Sequence, residues 1–331
     1  MQYAPGMTIG GYRIIDLLGS GGMGDVYVVE NEHLRRREAM KVISFAGASN
    51  PEFQQRFAIE ARTLAALDHP SIITIHNNGV DNDRPWFTMN LIDGPSLAAA
   101  VLTPAEVVNA IGQIADGLDY AHQHDVIHRD VKAANITLAG EGSDFRAVLL
   151  DFGLAKLADS PRLTAMNAVV GTSAFTAPEV ISGLPATAAS DQYSLACTTY
   201  EVLTGTVPFP ADNPASMMLA HVHQPVPNLG FLRPDLAALG PVLARAMAKY
   251  PADRFPSCRA FTDECQRALN LGAVAPAAPS PGIGWAPPGQ LPQVPTPAPP
   301  TSTATTLGWI MVWLAVSVMV VVAVTAPLWW P

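Results

Sequence analysis

Cysteine is scarce in this 331-residue chain: Cys197, Cys258 and Cys265 are its three, odd in number and without metal-ligand spacing. That excludes a disulfide framework and fits buried thiols in a reducing compartment. Positive charge is also short, 19 basic side chains against 28 acidic for a net charge of −9, which argues against a nucleic-acid partner. Arg35-Arg36-Arg37 reads instead as a solvated hairpin tip. No signal-peptide pattern opens the sequence. Charge of either sign stops at Arg267, and Ala273 to Thr306 carries ten prolines among Ala, Gly, Ser and Thr. Such a composition cannot build a core, so residues 271–306 read as an extended, disordered linker, with an SH3-type ligand as the other reading. Leu307 to Ala326 is a run of twenty residues without a charge. At about 1.5 Å per residue it spans roughly 30 Å, the thickness of a bilayer's hydrocarbon core, which predicts a transmembrane helix. Trp309 and Trp313 near one end and Trp329 and Trp330 at the other suit the two interfaces. No Lys or Arg flanks the span, so the positive-inside rule gives no orientation, and residues 327–331 form a short tail.

What is present begins with a glycine-rich hairpin. Ile14-Ile15-Asp16-Leu17-Leu18 reads as a strand entering Gly19-Ser20-Gly21-Gly22-Met23-Gly24, and Val26 to Val29 as the returning strand. Lacking Cβ atoms, Gly19, Gly21 and Gly24 let backbone N–H groups approach phosphate oxygens. The same G-x-G-x-x-G occurs in tight turns and in dinucleotide sites, but a dinucleotide site wants a helix after the glycines. Pro51 to Leu67 carries Phe53, Phe57, Leu64 and Leu67 at helical spacing with Glu60 among them. The strand-like Trp86-Phe87-Thr88 leads into Met89-Asn90-Leu91-Ile92-Asp93-Gly94. Further on, His128-Arg129-Asp130-Val131-Lys132-Ala133-Ala134-Asn135 precedes Asp151-Phe152-Gly153.

Taken in order, this set resembles the catalytic core of a protein kinase over residues 10–270. The resemblance implies an α+β, two-lobed fold with a β-rich N-lobe and a mainly helical C-lobe, and ATP with Mg²⁺ or Mn²⁺ as cofactors. By the same resemblance Gly19 to Gly24 and Val26 cover the nucleotide. Ala39 lines it, Lys41 binds its phosphates, and Glu60 pairs with Lys41. Met89 is then the gatekeeper of a link whose backbone at Asn90 and Ile92 bonds adenine. Asp130 orients the substrate hydroxyl and accepts its proton, Lys132 neutralises the moving phosphoryl group, and Asn135 and Asp151 are the metal ligands. Lys132, two residues after Asp130, is the serine/threonine arrangement. His128, Phe152, Leu64 and Ile75 match an apolar spine that packs the active lobes together.

From Gly153 to Ala177-Pro178-Glu179 runs the implied activation segment, with Ser160, Thr164 and Thr172. The resemblance makes Thr172 a contact of the catalytic Asp and Lys, and Thr164 the phosphate acceptor held by Arg129. Met166 stands where related kinases often carry a second threonine. Asp191 is implied to brace the catalytic loop, and Glu179 and Arg254 to form a buried structural pair. Two departures stand out: Phe175 replaces the usual Tyr before Ala177-Pro178-Glu179, and Thr137 replaces a larger apolar floor for adenine. Gly21-Gly22-Met23-Gly24 and the single C-terminal helix are similar to actinobacterial membrane kinases. These imply a cytoplasmic kinase domain on a single-pass anchor, Ser/Thr-bearing protein substrates, an N-lobe homodimer, and no room for an external sensor domain after the helix. A pseudokinase scaffold and a Pro-rich binding module are the rival readings.

Overall fold

Residues 2–22, 24–45, 47–141, 144–152 and 173–274 are described by the computed structural model. The N-terminal part alternates apolar and polar positions with period two, and it forms a six-stranded antiparallel sheet. Its strands are β1 (Thr8–Ile9), β2 (Tyr12–Gly21), β3 (Gly24–Asn31), β4 (Arg36–Ile43), β5 (Ile75–Asp81) and β6 (Arg84–Asn90), in the order β1-β2-β3-β4-β6-β5. Alternation sends the residues of β4 to two cores. Met40 and Val42 join Tyr12, Ile14, Tyr27 and Trp86 on one face. Ala39 and Ile43 face the other way, toward Phe53, Phe57, Ala61 and Leu64 of α1 (Pro51–Ala65). Lys41 therefore shares the face of Ala39 and Ile43, between the sheet and the C-terminal lobe. Asn50 caps α1 by accepting the Glu52 N–H at 2.8 Å, and Pro51 supplies a helical φ at the first turn. The helix stops at Ala65, two residues short of the span read from periodicity, and Leu67 is buried in the connection after it. At the Arg35-Arg36-Arg37 tip only Arg35 lies outside a strand, while Arg36 folds onto the fully buried Glu38 at 2.7 Å.

The second lobe is helical. It comprises α2 (Pro104–Gln123), the hairpin β7 (Ile136–Glu141) with β8 (Asp144–Leu149), α3 (Pro178–Ile181), α4 (Ala188–Thr204), α5 (Pro214–His223), α6 (Gly240–Ala246) and α7 (Cys258–Val274). A capping box between Thr103 and Glu106 starts α2. Helix α4 is buried nearly all round, which explains its weak apolar periodicity. Two of its hydroxyls are satisfied inside the helix: Thr198 and Thr199 each donate to the carbonyl four residues back. Gly205, at φ 76°, ends it in the left-handed cap that glycine adopts without strain. Cys197, Cys258 and Cys265 are free and buried.

His221 of α5 is fully buried against Tyr193, whose hydroxyl lies 2.8 Å from Nδ1. Burial first, and the Lys249 charge second, push His221 down from 6.5 to about 4. Its neutral form is thus the one the fold accepts, so its contribution to stability is complete above about pH 6.5 and is lost as pH falls toward 4. The shift corresponds to about 3 kcal/mol. Urea unfolding at pH 7 and at pH 4 should show wild type losing about that much more than His221→Asn, which keeps an acceptor near Nδ1. Equal losses would show that His221 is not the titrating group.

Candidate active site

Gly24 is required by sterics alone: at φ 149°, a Cβ would sit 2.0 Å from the Val42 carbonyl oxygen. Gly19 and Gly22 are different, because a Cβ there would meet nothing of the chain within 4 Å. No internal packing demands glycine at those two positions, and bare backbone at the tip of the β2–β3 hairpin leaves room for a ligand to approach. Beneath the hairpin, Val26 is half-buried opposite Lys41, and Ala39 is buried two residues before that lysine on the paired strand. Met23 lies outside the described residues.

Met89 is buried within β6, opposite Ala39 and Ile75, and Asn90 is the last residue of that strand. The link between lobes therefore begins at Leu91, two residues later than the sequence suggests. The Asn90 N–H is taken by the Thr74 carbonyl at 3.1 Å, which leaves the Asn90 carbonyl and the Ile92 amide as the link's groups for a base. Gly94, at φ 148°, passes so close to β7 that a Cβ would lie 1.9 Å from the Leu138 carbonyl oxygen. Thr137 is buried on β7, beside the link through its bridge to Ser96.

Asp191 organises the loop before β7. Its two carboxylate oxygens accept the His128 and Arg129 backbone N–H groups, each at 2.8 Å, and Oδ2 also meets His122 Nε2 at 2.9 Å. Burial lowers the pKa of His122, but the bond to Asp191 and the charges of Asp119 and Asp191 overcome this and raise it to about 9. His128 is fully buried, which lowers its pKa; its Nε2 meets the Leu150 carbonyl at 2.9 Å and its ring sits 4.5 Å from that of Phe152. Leu64, Ile75 and Phe152 line one small cavity, so three of the four spine residues meet around it and His128 reaches it through Phe152. The loop turns back on itself through Asp130, whose Oδ2 receives Lys132 Nζ and Asn135 Nδ2, both at 2.9 Å. A base, a cation and an amide thus share one locally fixed cluster.

Across the cleft Lys41 pairs with Asp151 at 2.7 Å. The Lys41–Glu60 pair expected from the sequence is not formed. Glu60 instead lies in a cavity of about 320 Å³ lined by Arg56, Thr63, Asp125 and Arg129. Burial raises its pKa, offset in part by the Arg129 charge. The cause is helix geometry: Phe53, Phe57, Ala61 and Leu64 fix the rotation of α1, and Glu60 stands on the flank of that stripe. Asp151, at φ 54°, presents its carboxylate to the lysine first. Glu179, next to the second lobe's core, receives Arg254 through both oxygens at 2.8 and 2.7 Å and Ser190 at 2.7 Å. Burial would raise its pKa, but these donors bring it below the ordinary glutamate value. Phe175 is buried and its carbonyl accepts the Ser194 hydroxyl at 2.7 Å. Gly153, Ser160, Thr164, Met166 and Thr172 lie outside the described residues. His122 was missed in the sequence, although it follows Leu118 by four residues on the buried face of α2.

Two lobes, a glycine hairpin between sheet and cleft, and an aspartate-braced loop across from the Lys41–Asp151 pair define a protein kinase domain. The chain belongs to this family: the protein kinase domain family matches residues 12–245. More particularly, it is an actinobacterial, eukaryotic-like Ser/Thr kinase domain. It is 40% identical over 301 residues to the serine/threonine-protein kinase PknJ of Mycobacterium tuberculosis, covering 88% of this chain and 50% of that protein. PknF of the same organism is 39% identical over 270 residues, covering 79% and 57%. The crystal structure of the Mycobacterium tuberculosis PknI kinase domain superposes with a TM-score of 0.64 at 35% identity, covering 81% of this chain and all of that one. The chain spans about half the length of the curated relatives it matches.

Proposed function

We propose that this chain transfers the γ-phosphoryl group of ATP to Ser and Thr hydroxyls of proteins while anchored in a membrane. The observation that carries the reading is the hydrogen-bonded cluster of Asp130, Lys132 and Asn135, facing Lys41 and Asp151 across a cleft roofed by the glycine hairpin. Asp130 positions the incoming hydroxyl and accepts its proton. Lys132 neutralises charge on the transferring group, and Lys41 holds the nucleotide's phosphates. Asn135 and Asp151 offer hard oxygen donors that suit Mg²⁺ or Mn²⁺, and the bound ion supplies neutralisation of the phosphate charge. The intact set speaks against a pseudokinase scaffold.

Regulation is proposed to run through Thr164. Its phosphate would draw Arg129 toward the activation segment, away from Glu60, and a turn of α1 on the sheet would then bring Glu60 to Lys41. Thr172 would contact the catalytic pair, and N-lobes would pair two copies. Among the described residues no helix is long and apolar enough to cross a membrane. The anchor is therefore assigned to residues 307–326, outside them, joined by the linker at 271–306, with residues 10–270 cytoplasmic and 327–331 across the bilayer. Its support is the uncharged twenty-residue stretch itself.

One fractionation tests both parts. The full chain, expressed in bacteria, should remain with carbonate-washed membranes, and those membranes should incorporate phosphate from ATP and Mg²⁺ into Ser and Thr only. Asp151→Asn should fractionate identically and incorporate none. Activity in the soluble fraction would refute the anchor, and equal incorporation by the variant would refute the enzyme.

A further inference from the structure

A second group of polar side chains lies behind Asp191, on the side away from the nucleotide cleft, where α2 meets the first turn of α7. Asp119 and His122 on α2 and Cys258 at the start of α7 each offer one ligand atom, and these atoms lie within 4.8 Å of one another. The sequence separates them by up to 139 residues, so cysteine spacing could not reveal the group.

Each member is held in place by bonds that leave a ligand atom available. Asp119 accepts the Cys258 N–H through Oδ1 and the Arg259 N–H through Oδ2, both at 2.9 Å, and the Ser257 side chain also bonds to it, which fixes the carboxylate. His122 has committed Nε2 to Asp191, and its Nδ1 faces Asp119 Oδ1 at 3.9 Å. That separation is too long for a hydrogen bond. It suits two ligands around one cation whose bonds are about 2.0 to 2.3 Å. The His122 side chain is only 10% exposed, and Cys258 only 1%. A histidine whose far nitrogen is tied to a carboxylate is the orientation that metal-binding imidazoles adopt. A cavity of about 400 Å³, lined in part by Gln192, Pro256 and Ser257, adjoins all three and gives an entry path.

We propose that Asp119, His122 and Cys258 form a binding site for a zinc-type divalent cation, with water from the adjoining cavity as the fourth ligand. The donor set selects the metal: thiolate and imidazole favour Zn²⁺ and disfavour Mg²⁺, which takes oxygen. On binding, the Cys258 S–H bond breaks, its proton leaves to solvent, and the sulfur electron pair passes to the metal. The His122 Nδ1–H bond likewise breaks, its proton leaves to solvent, and the neutral imidazole donates the Nδ1 pair. One thiolate and one carboxylate then balance the two charges of the ion, so the buried site is neutral. The ion would clip α2 to α7 and lock the ring that holds Asp191, the residue on which the catalytic loop hangs.

The test is a Co²⁺ titration of the full chain in detergent, followed by absorption. Wild type should develop a thiolate-to-cobalt charge-transfer band saturating at one equivalent per chain, and Zn²⁺ should erase it. Cys258→Ala should lose the band and bind more than about 100-fold more weakly, since losing a ligand exceeds the loss of an outer-shell partner. Cys265→Ala should retain both. Circular dichroism melting in the absence of metal would confirm that both variants fold. No thiolate band in wild type, or the same band in Cys258→Ala, would overturn the proposal and leave Asp119 as a helix cap only.

Discussion

Replacing Asp130 with Asn is expected to lower the rate of protein phosphorylation by about 10²- to 10⁴-fold, the range assigned to a lost general base. Nucleotide affinity should change little, because Lys41 and the glycine hairpin lie on the other side of the cleft. The substitution preserves shape but not charge. Asp130 Oδ2 now accepts from both Lys132 Nζ and Asn135 Nδ2, and an amide oxygen can still accept those bonds. What it cannot do is take a proton from the substrate. Steady-state kinetics with a peptide acceptor should therefore show the loss in kcat, with the KM for ATP within a few-fold of wild type. A variant retaining a tenth or more of wild-type kcat would remove Asp130 from the base role.

The largest expected effect on stability comes from Arg254→Ala. Arg254 is 3% exposed and Glu179 8%, and the pair is bidentate, with Ser190 completing the carboxylate's partners. Removing one member strands a buried charge, which costs about 3 to 5 kcal/mol. Urea unfolding at neutral pH should show that loss. The dependence on pH adds a check with a definite sign. In wild type the Glu179 pKa lies below 4.5, so the pair's stabilisation is present above that pH and lost as pH falls through the folded value. Without Arg254 only the Ser190 bond opposes the effect of burial, the carboxyl's pKa rises, and acid relieves the variant. The gap between the two proteins should therefore narrow toward pH 4. A gap that stays constant would mean that Arg254 acts through packing on Tyr193, over which its guanidinium carbon sits at 4.9 Å, and not through charge.

Much of the site could be read in the sequence, because chemistry that depends on short loops keeps its residues close along the chain. Asp130, Lys132 and Asn135 fall within six positions, and their mutual bonds are local. The glycine hairpin and the strand alternation of β4 are equally local, since a period of two and a missing Cβ act over a few residues.

Tertiary packing decided what depends on the rotation or approach of whole elements. The set of apolar residues on α1 marks it as a helix, but only its seating against Phe87 and the sheet fixes where Glu60 points, and that seating put Lys41 on Asp151. Asp191 was legible as a brace, whereas His122 as its partner required α2 and α4 to lie side by side. Asp119, His122 and Cys258 came together in the same way, across 139 residues. Sequence alone determined which chemical groups this protein carries and the local turns that present them, since those are set by bonds within a few residues. The tertiary structure decided which charges meet, because an ion pair depends on distance in space, and the packing of buried faces sets that distance.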